Sequence, residues 1–366
     1  MQVFLNILFL ILGIFFLIKG ADYFVVGASG VAKRLKVSPL IIGLTIVAIG
    51  TSLPELAVSI TAAISGSVDM SVGNVIGSNM ANMLLIIGIV ACFSPIVIQK
   101  SSKKFDLPFM LAVTGVLLLF CADFFVNGGG SNIITRTEAI ILLLLLVYYL
   151  VRLVLDAKRG QKENFKTGDE VFEEELKRLC DEAEAKTEKQ GKSDKKENFF
   201  KKIRRKIKEF SEGDLPVWKI VLFLILGLGA VVLGGEAVSR TAQNLAIMAG
   251  MSEALVGLTI VALGTSLPEL VTSVVAAKKG ETDLVIGNVI GSNIMNILLI
   301  LGTVGVIKNI NVAETILMDL LILLCFTAIF TILSLSRKKI GRITGVIYLL
   351  MYFSYIAFAI VRNYCF

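Results

Sequence analysis

The chain has 366 residues, 55% of them hydrophobic, with a mean hydropathy of +0.82 and a formal net charge of +7. Several apolar runs reach the roughly 20 residues that a bilayer crossing needs, which excludes an ordinary soluble domain and indicates an all-α polytopic membrane protein. Histidine is absent and the five cysteines (Cys92, Cys121, Cys180, Cys325, Cys365) lack CxxC spacing, so imidazole relays, histidine metal sites, a zinc site and a disulfide framework are set aside.

In chain order, ten transmembrane helices are predicted. Five apolar segments cover 3–32, 38–66, 70–94, 105–126 and 134–156, and five more cover 215–249, 252–278, 283–307, 314–335 and 343–362. They divide the chain into a first membrane repeat (1–156), a charged loop (157–214) and a second membrane repeat (215–366). The first segment has no basic n-region, its first cation being Lys19, and no small-residue cleavage site; it is expected to stay as a span.

The loop begins acidic (Asp169, Glu170, Glu173, Glu174, Glu175) and ends basic and amphipathic over 199–210. One reading is a regulatory segment that binds Ca²⁺ or anionic lipid. The other is a solvated helical linker whose basic end follows from topology. The second is preferred, because the loop is short and lacks the alternating Asp/Asn and Gly of an EF-hand; contact of 199–210 with anionic lipid stays open.

Charge counting orients the segments. With the N-terminus outside, thirty Lys and Arg fall in inside loops, and only Arg136, Lys308 and Arg362 fall outside. Leaving out the long loop, the ratio is still twelve to three. Both termini are therefore expected outside and the loop in the cytoplasm, in a cell (inner or plasma) membrane. The positive charge is read as a topology signal, and no nucleic-acid partner is expected.

One stretch is written twice. Residues 41–88 and 255–302 align at a constant offset of 214 without a gap, with 30 identities in 48 positions. The copies centre on Gly50-Thr51-Ser52-Leu53-Pro54-Glu55 and Gly264-Thr265-Ser266-Leu267-Pro268-Glu269. Their segments lie five spans apart, an odd number, so near-identical sequences enter the membrane in opposite directions. Inverted repeats with interrupted helices at matching positions mark secondary transporters, whose site lies near the midplane. Duplication alone would give similarity, but would not concentrate it on polar, proline-bearing segments.

The chemistry follows from spacing. Thr51 and Ser52 stand at i−4 and i−3 from Glu55, so all three share a helix face. Pro54 has no N–H, and the kink is expected to free backbone oxygens from Ala48 to Thr51 beside the Glu55 carboxylate. Hydroxyl, carbonyl and carboxylate oxygens are hard ligands for hard cations. Ala262, Thr265, Ser266 and Glu269 repeat the construction. A second element, Gly-Asn-Val-Ile-Gly-Ser-Asn at 73–79 and 287–293, is followed by Asn82 and Asn296, each four residues beyond a serine, Ser78 or Ser292. Glu55 and Glu269 would meet at the centre of a pseudo-twofold, where two carboxylates repel unless a divalent cation, monovalent cations or protons neutralise them. Single hydroxyls and amides there could instead be interhelical glue.

The paired GTSLPE and GNVIGSN motifs resemble the two alpha-repeats of the cation/calcium exchanger superfamily, specifically its sodium/calcium exchanger branch. The resemblance implies exchange of several Na⁺ for one Ca²⁺ by alternating access, with segments one and six sliding against the other eight. By motif position it implies cation ligands at Ala48, Thr51, Ser52, Glu55, Ser78 and Asn82, mated with Ala262, Thr265, Ser266, Glu269, Ser292 and Asn296, the alanines acting through carbonyls. Where this chain has Asn296, potassium-dependent relatives carry aspartate, so no K⁺ requirement is expected. No cofactor and no catalytic residue are expected either, since Gly-x-Ser-x-Gly elbows and histidine motifs are absent. A Ca²⁺/H⁺ antiporter, a K⁺-dependent exchanger and a cation channel remain alternatives. Four outlying charges are read blandly. Asp22 is expected to pair locally with Lys19, Glu236 matches Asp22 by offset, and Asp106 and Asp319 are placed near helix starts.

Overall fold

The computed structural model describes residues 2–66, 68–122, 132–159, 215–248, 250, 262–337 and 339–365. Past residue 159 the charged loop, including 199–210, lies outside the described residues, as does 251–261 at the start of the second repeated stretch.

Helices dominate. In the first half α1 spans Gln2–Leu35, α2 Pro39–Thr51, α3 Leu53–Ser65, α4 Met70–Phe93, α5 Ser102–Cys121 and α6 Arg136–Arg159. In the second, α7 spans Val217–Met248, α8 Ala262–Thr265, α9 Leu267–Lys278, α10 Thr282–Ile307, α11 Glu314–Ser336 and α12 Arg342–Cys365. Eight helices among the described residues are long and apolar enough to cross a membrane, or nine if α2 and α3, bent by 42°, form one span. The chain is a multi-pass membrane protein. The predicted second segment is thus one broken element, and its break falls inside the GTSLPE motif.

Burial sorts these helices into centre and rim. The most apolar window of α10 is 94% buried and that of α4 78%, against 22% for α7 and 28% for α11 and α12. A helix apolar on every side belongs in a core or against lipid, and the rim helices present Leu, Ile and Phe outward. The GNVIGSN helices therefore form the axis of the bundle.

Glycine sets the closest contacts. On α1 and α7, Gly13, Gly20, Gly227 and Gly234 let two long helices cross backbone to backbone: a Cβ at Gly227 would lie 2.5 Å from the Phe24 nitrogen, and one at Gly234 2.6 Å from that of Leu17. Gly13 meets Gly234 and Gly20 meets Val231, so index rises on one helix as it falls on the other and the pair runs antiparallel. Gly287 packs against Leu40 and Gly43 in the same way, joining α10 to α2.

Two short antiparallel strand pairs tie the halves together. β1 (Ile96–Val97) pairs with β4 (Lys339–Ile340), and β2 (Ile133–Ile134) with β3 (Ile310–Asn311). Each takes one strand from either half of the chain.

One sequence expectation, the partner of Asp22, needs correcting, and the other outlying charges gain partners or surroundings. Asp22 does not pair with Lys19: its carboxylate meets Lys279 at 2.6 Å, because the end of α9 packs on α1. Glu236 is held by Arg240 one turn on. Asp319 lies inside α11, where Arg362 of α12 grips it with two hydrogen bonds of 2.9 and 2.8 Å. Asp106 is buried at the end of a π-helical turn (Ser102–Asp106) that carries the helix one turn further back than expected. Cys92 and Cys325 are free thiols.

Candidate functional site

The two GTSLPE copies fold alike. In each, the chain breaks at the serine, with φ −84°, ψ 3° at Ser52 and φ −88°, ψ 4° at Ser266. These are bridge-region values, sparsely occupied elsewhere. A new helix starts at the next residue, with proline second and glutamate third, as the missing proline N–H allows. Glu55 and Glu269 thus stand in the first turns of α3 and α9, where unpaired N–H groups and the helix dipole favour negative charge. A serine before a helix normally bonds the backbone of the first turn. Neither Ser52 nor Ser266 does so, which leaves both hydroxyls for other work.

The asparagines occupy a second special element. Asn82 lies at the start of a π-helical turn, Ala81–Ile86 in α4, and Asn296 begins its mate, Asn296–Leu301 in α10. Such wide turns recur at functional sites. Packing crosses between the halves: α9 with Glu269 lies against the turn of Asn82, and α3 with Glu55 against that of Asn296.

Thr51, Ser52, Glu55, Ser78, Asn82, Ser266, Glu269, Ser292 and Asn296 are all buried, and Thr265 is half-buried. Ala48 is buried too, but its carbonyl is already engaged, accepting the Ser52 N–H at 3.1 Å, with the Thr51 hydroxyl 3.5 Å away. Of Ala262 only the backbone is described. The halves join through side chains. The Ser52 hydroxyl donates to Glu269 Oε1 at 3.3 Å, and Asn296 Nδ2 donates to Asn79 Oδ1 at 3.1 Å. Asn79 Nδ2 in turn donates to the carbonyl of Asn293, its own mate, at 3.3 Å. The Glu269 carboxylate is also near enough to act electrostatically on Glu55.

What distinguishes this centre is its surplus of acceptors. Among the described residues, both carboxylate oxygens of Glu55, Oε2 of Glu269, the Ser78 and Ser266 hydroxyls, and Oδ1 of Asn82 and Asn296 are buried without a hydrogen-bond partner. Buried polar atoms are normally satisfied, because each orphan costs about 1–3 kcal/mol. Seven orphan oxygens in one region, all on residues that the motif spacing singles out, form an oxygen-lined centre suited to a hard cation.

The spacing did not reveal three features. Asn74 and Asn288, the first asparagines of the GNVIGSN motifs, bond to threonines of the opposite half. Asn79 orients Asn296. The glycines seven residues apart in α1 and α7 set the helix pair. The letter-for-letter identity of the two motifs was the available signal for the asparagines, and the seven-residue glycine period for the pair.

Fold and site together define a class: multi-pass membrane proteins with a buried, oxygen-lined polar centre shared between two halves of one chain. The family model for sodium/calcium exchanger protein matches residues 5–155 and 219–361. The chain is 37% identical over 365 residues to the sodium/calcium exchanger MaX1 of Methanosarcina acetivorans, covering 99% of this chain and 100% of that protein. It is 31% identical over 363 residues to the inner membrane protein YrbG of Escherichia coli, covering 92% and 91%. Its fold matches a structure of the sodium-calcium exchanger NCX_Mj soaked with zero Na⁺ and Ca²⁺, with a TM-score of 0.72 and 29% identity over 97% of this chain and 99% of that one. The chain belongs to the sodium/calcium exchanger family.

Proposed function

We propose that the protein is a secondary antiporter that exchanges Na⁺ for Ca²⁺ across a cell membrane by alternating access. The observation that carries this is the set of orphan oxygens around Glu55 and Glu269. Two carboxylates balance one divalent ion, and the neutral oxygens beside them suit Na⁺, so the two cations compete for one set of charges. Thr51, Ser52, Glu55, Ser78 and Asn82, with Thr265, Ser266, Glu269, Ser292 and Asn296, are the proposed ligands, joined by the carbonyl of Ala262 and by that of Ala48 through the lone pair its bond to the Ser52 N–H leaves. Ions are the cargo; the proposal includes no cofactor and no enzymatic step.

The full architecture in this proposal is ten spans in two inverted five-helix repeats. The strand pairs support it. Strands must share a membrane face to pair, and inverted repeats put the β1 and β4 loops on one face and the β2 and β3 loops on the other. The first face also carries Lys100, Lys103, Lys104, Arg337, Lys339 and Arg342, while the second carries Arg136 and Lys308. By the positive-inside rule the first is cytoplasmic and the termini lie outside.

Ca²⁺ uptake into proteoliposomes under imposed Na⁺, K⁺ or H⁺ gradients tests the function. Na⁺ alone should drive uptake. Uptake driven by a pH gradient without Na⁺ would indicate a Ca²⁺/H⁺ antiporter, and flux without a counter-ion would indicate a channel.

A further inference from the structure

Behind the oxygen-lined centre lies a hydrogen-bond relay written in both halves. Asn288 is buried in α10; its Nδ2 donates to Ser273 Oγ at 3.1 Å, and its Oδ1 accepts the Thr51 hydroxyl of the other half at 3.1 Å. The Ser292 hydroxyl reaches the same oxygen at 3.5 Å. At the mated positions Asn74 Nδ2 donates to Ser59 Oγ at 3.4 Å, and Asn74 Oδ1 accepts the Thr265 hydroxyl at 3.3 Å. Two amides in two halves thus adopt one arrangement, each anchored on its own half and bonded to a threonine of the other.

A hydroxyl has one proton and two lone pairs, and only the lone pairs bind a cation. Where the proton goes decides what the threonine offers. Thr51 also lies beside the Glu269 carboxylate. If its proton turned there, it would occupy a carboxylate lone pair and point hydrogen at any cation. The anchored amide of Asn288 takes the proton instead, which keeps the Thr51 oxygen and the Glu269 carboxylate as acceptors.

We propose that Asn288, and Asn74 as its mate, are positioning residues that set the hydroxyl polarity of Thr51 and Thr265 and thereby the affinity of the site for its cations. This rests on the exchanger reading given above. It parallels metal sites in which partners behind the ligands hold them in one orientation, and whose loss costs about 10–100-fold in affinity.

The test is a double-mutant cycle on Na⁺-driven Ca²⁺ uptake with Asn288→Leu and Thr51→Val. Asn288→Leu should raise the KM for Ca²⁺ about tenfold or more with kcat largely kept, and should add less than about twofold on the Thr51→Val background, since the hydroxyl it orients is gone. Ser273→Ala, which removes only the anchor, should move KM the same way by less and couple to Thr51→Val in the same manner; it carries the test if Asn288→Leu fails to assemble. Fully additive effects of either variant with Thr51→Val, or an unchanged KM, overturn the proposal while leaving the exchanger reading intact. Absence of Na⁺-driven uptake by the parent chain overturns both.

Discussion

The Ser52 hydroxyl donates to the Glu269 carboxylate at 3.3 Å, whereas Ser266, its mate in the second half, has no hydrogen-bond partner among the described residues. Two identical motifs are therefore used differently, and their alanine variants should part company. Ser52→Ala strips a donor from a buried carboxylate and should lower thermal stability in chelator by about 1–3 kcal/mol. Ser266→Ala removes an oxygen that no described group bonds and should leave that stability unchanged. Both should raise the KM for Ca²⁺. Thermal unfolding of the purified protein, with and without Ca²⁺, checks the difference.

Asn296 invites the aspartate of the potassium-dependent relatives, but its surroundings oppose it. Its Nδ2 donates to Asn79 Oδ1 at 3.1 Å, and Asn79 cannot turn over without losing its own bond to the Asn293 carbonyl. Asn296→Asp sets carboxylate oxygen against amide oxygen. It should lower Na⁺-driven Ca²⁺ uptake about tenfold, an energy of about 1.4 kcal/mol, without creating K⁺ stimulation. Uptake measured with and without K⁺ decides this.

Gly227 and Gly229 are two residues apart on α7 and should respond oppositely to alanine. At Gly227 the new Cβ would lie 2.5 Å from the Phe24 nitrogen and 2.8 Å from its Cα; at Gly229 it would meet nothing within 4 Å among the described residues. Gly227→Ala should force α1 and α7 apart and cost about 1–3 kcal/mol. Gly229→Ala should be neutral or gain up to about 1 kcal/mol from helix propensity. Melting temperatures of the two variants in detergent report both.

The membrane class and the burial of the polar motif residues were legible in the sequence because lipid punishes polar residues so heavily that each one present is a signal. Glu55, Ser266, Asn82 and Asn296 stood out for that reason. Contacts between distant residues were not legible. Lys19 is the nearer partner for Asp22 in sequence, but only the packing of α9 on α1 brings Lys279 to it. The π-helical turns at Asn82 and Asn296 leave no mark in apolar periodicity, and Pro54 does not announce that the Ala48 carbonyl keeps its bond to the Ser52 N–H.

The central claim is that Glu55 and Glu269 belong to one shared site, each half supplying one carboxylate. Na⁺-driven Ca²⁺ uptake by proteoliposomes holding Glu55→Gln or Glu269→Gln tests it most directly. A shared site predicts that either substitution alone abolishes uptake while the protein still elutes as a folded, monodisperse species. Full exchange by either single variant would contradict it.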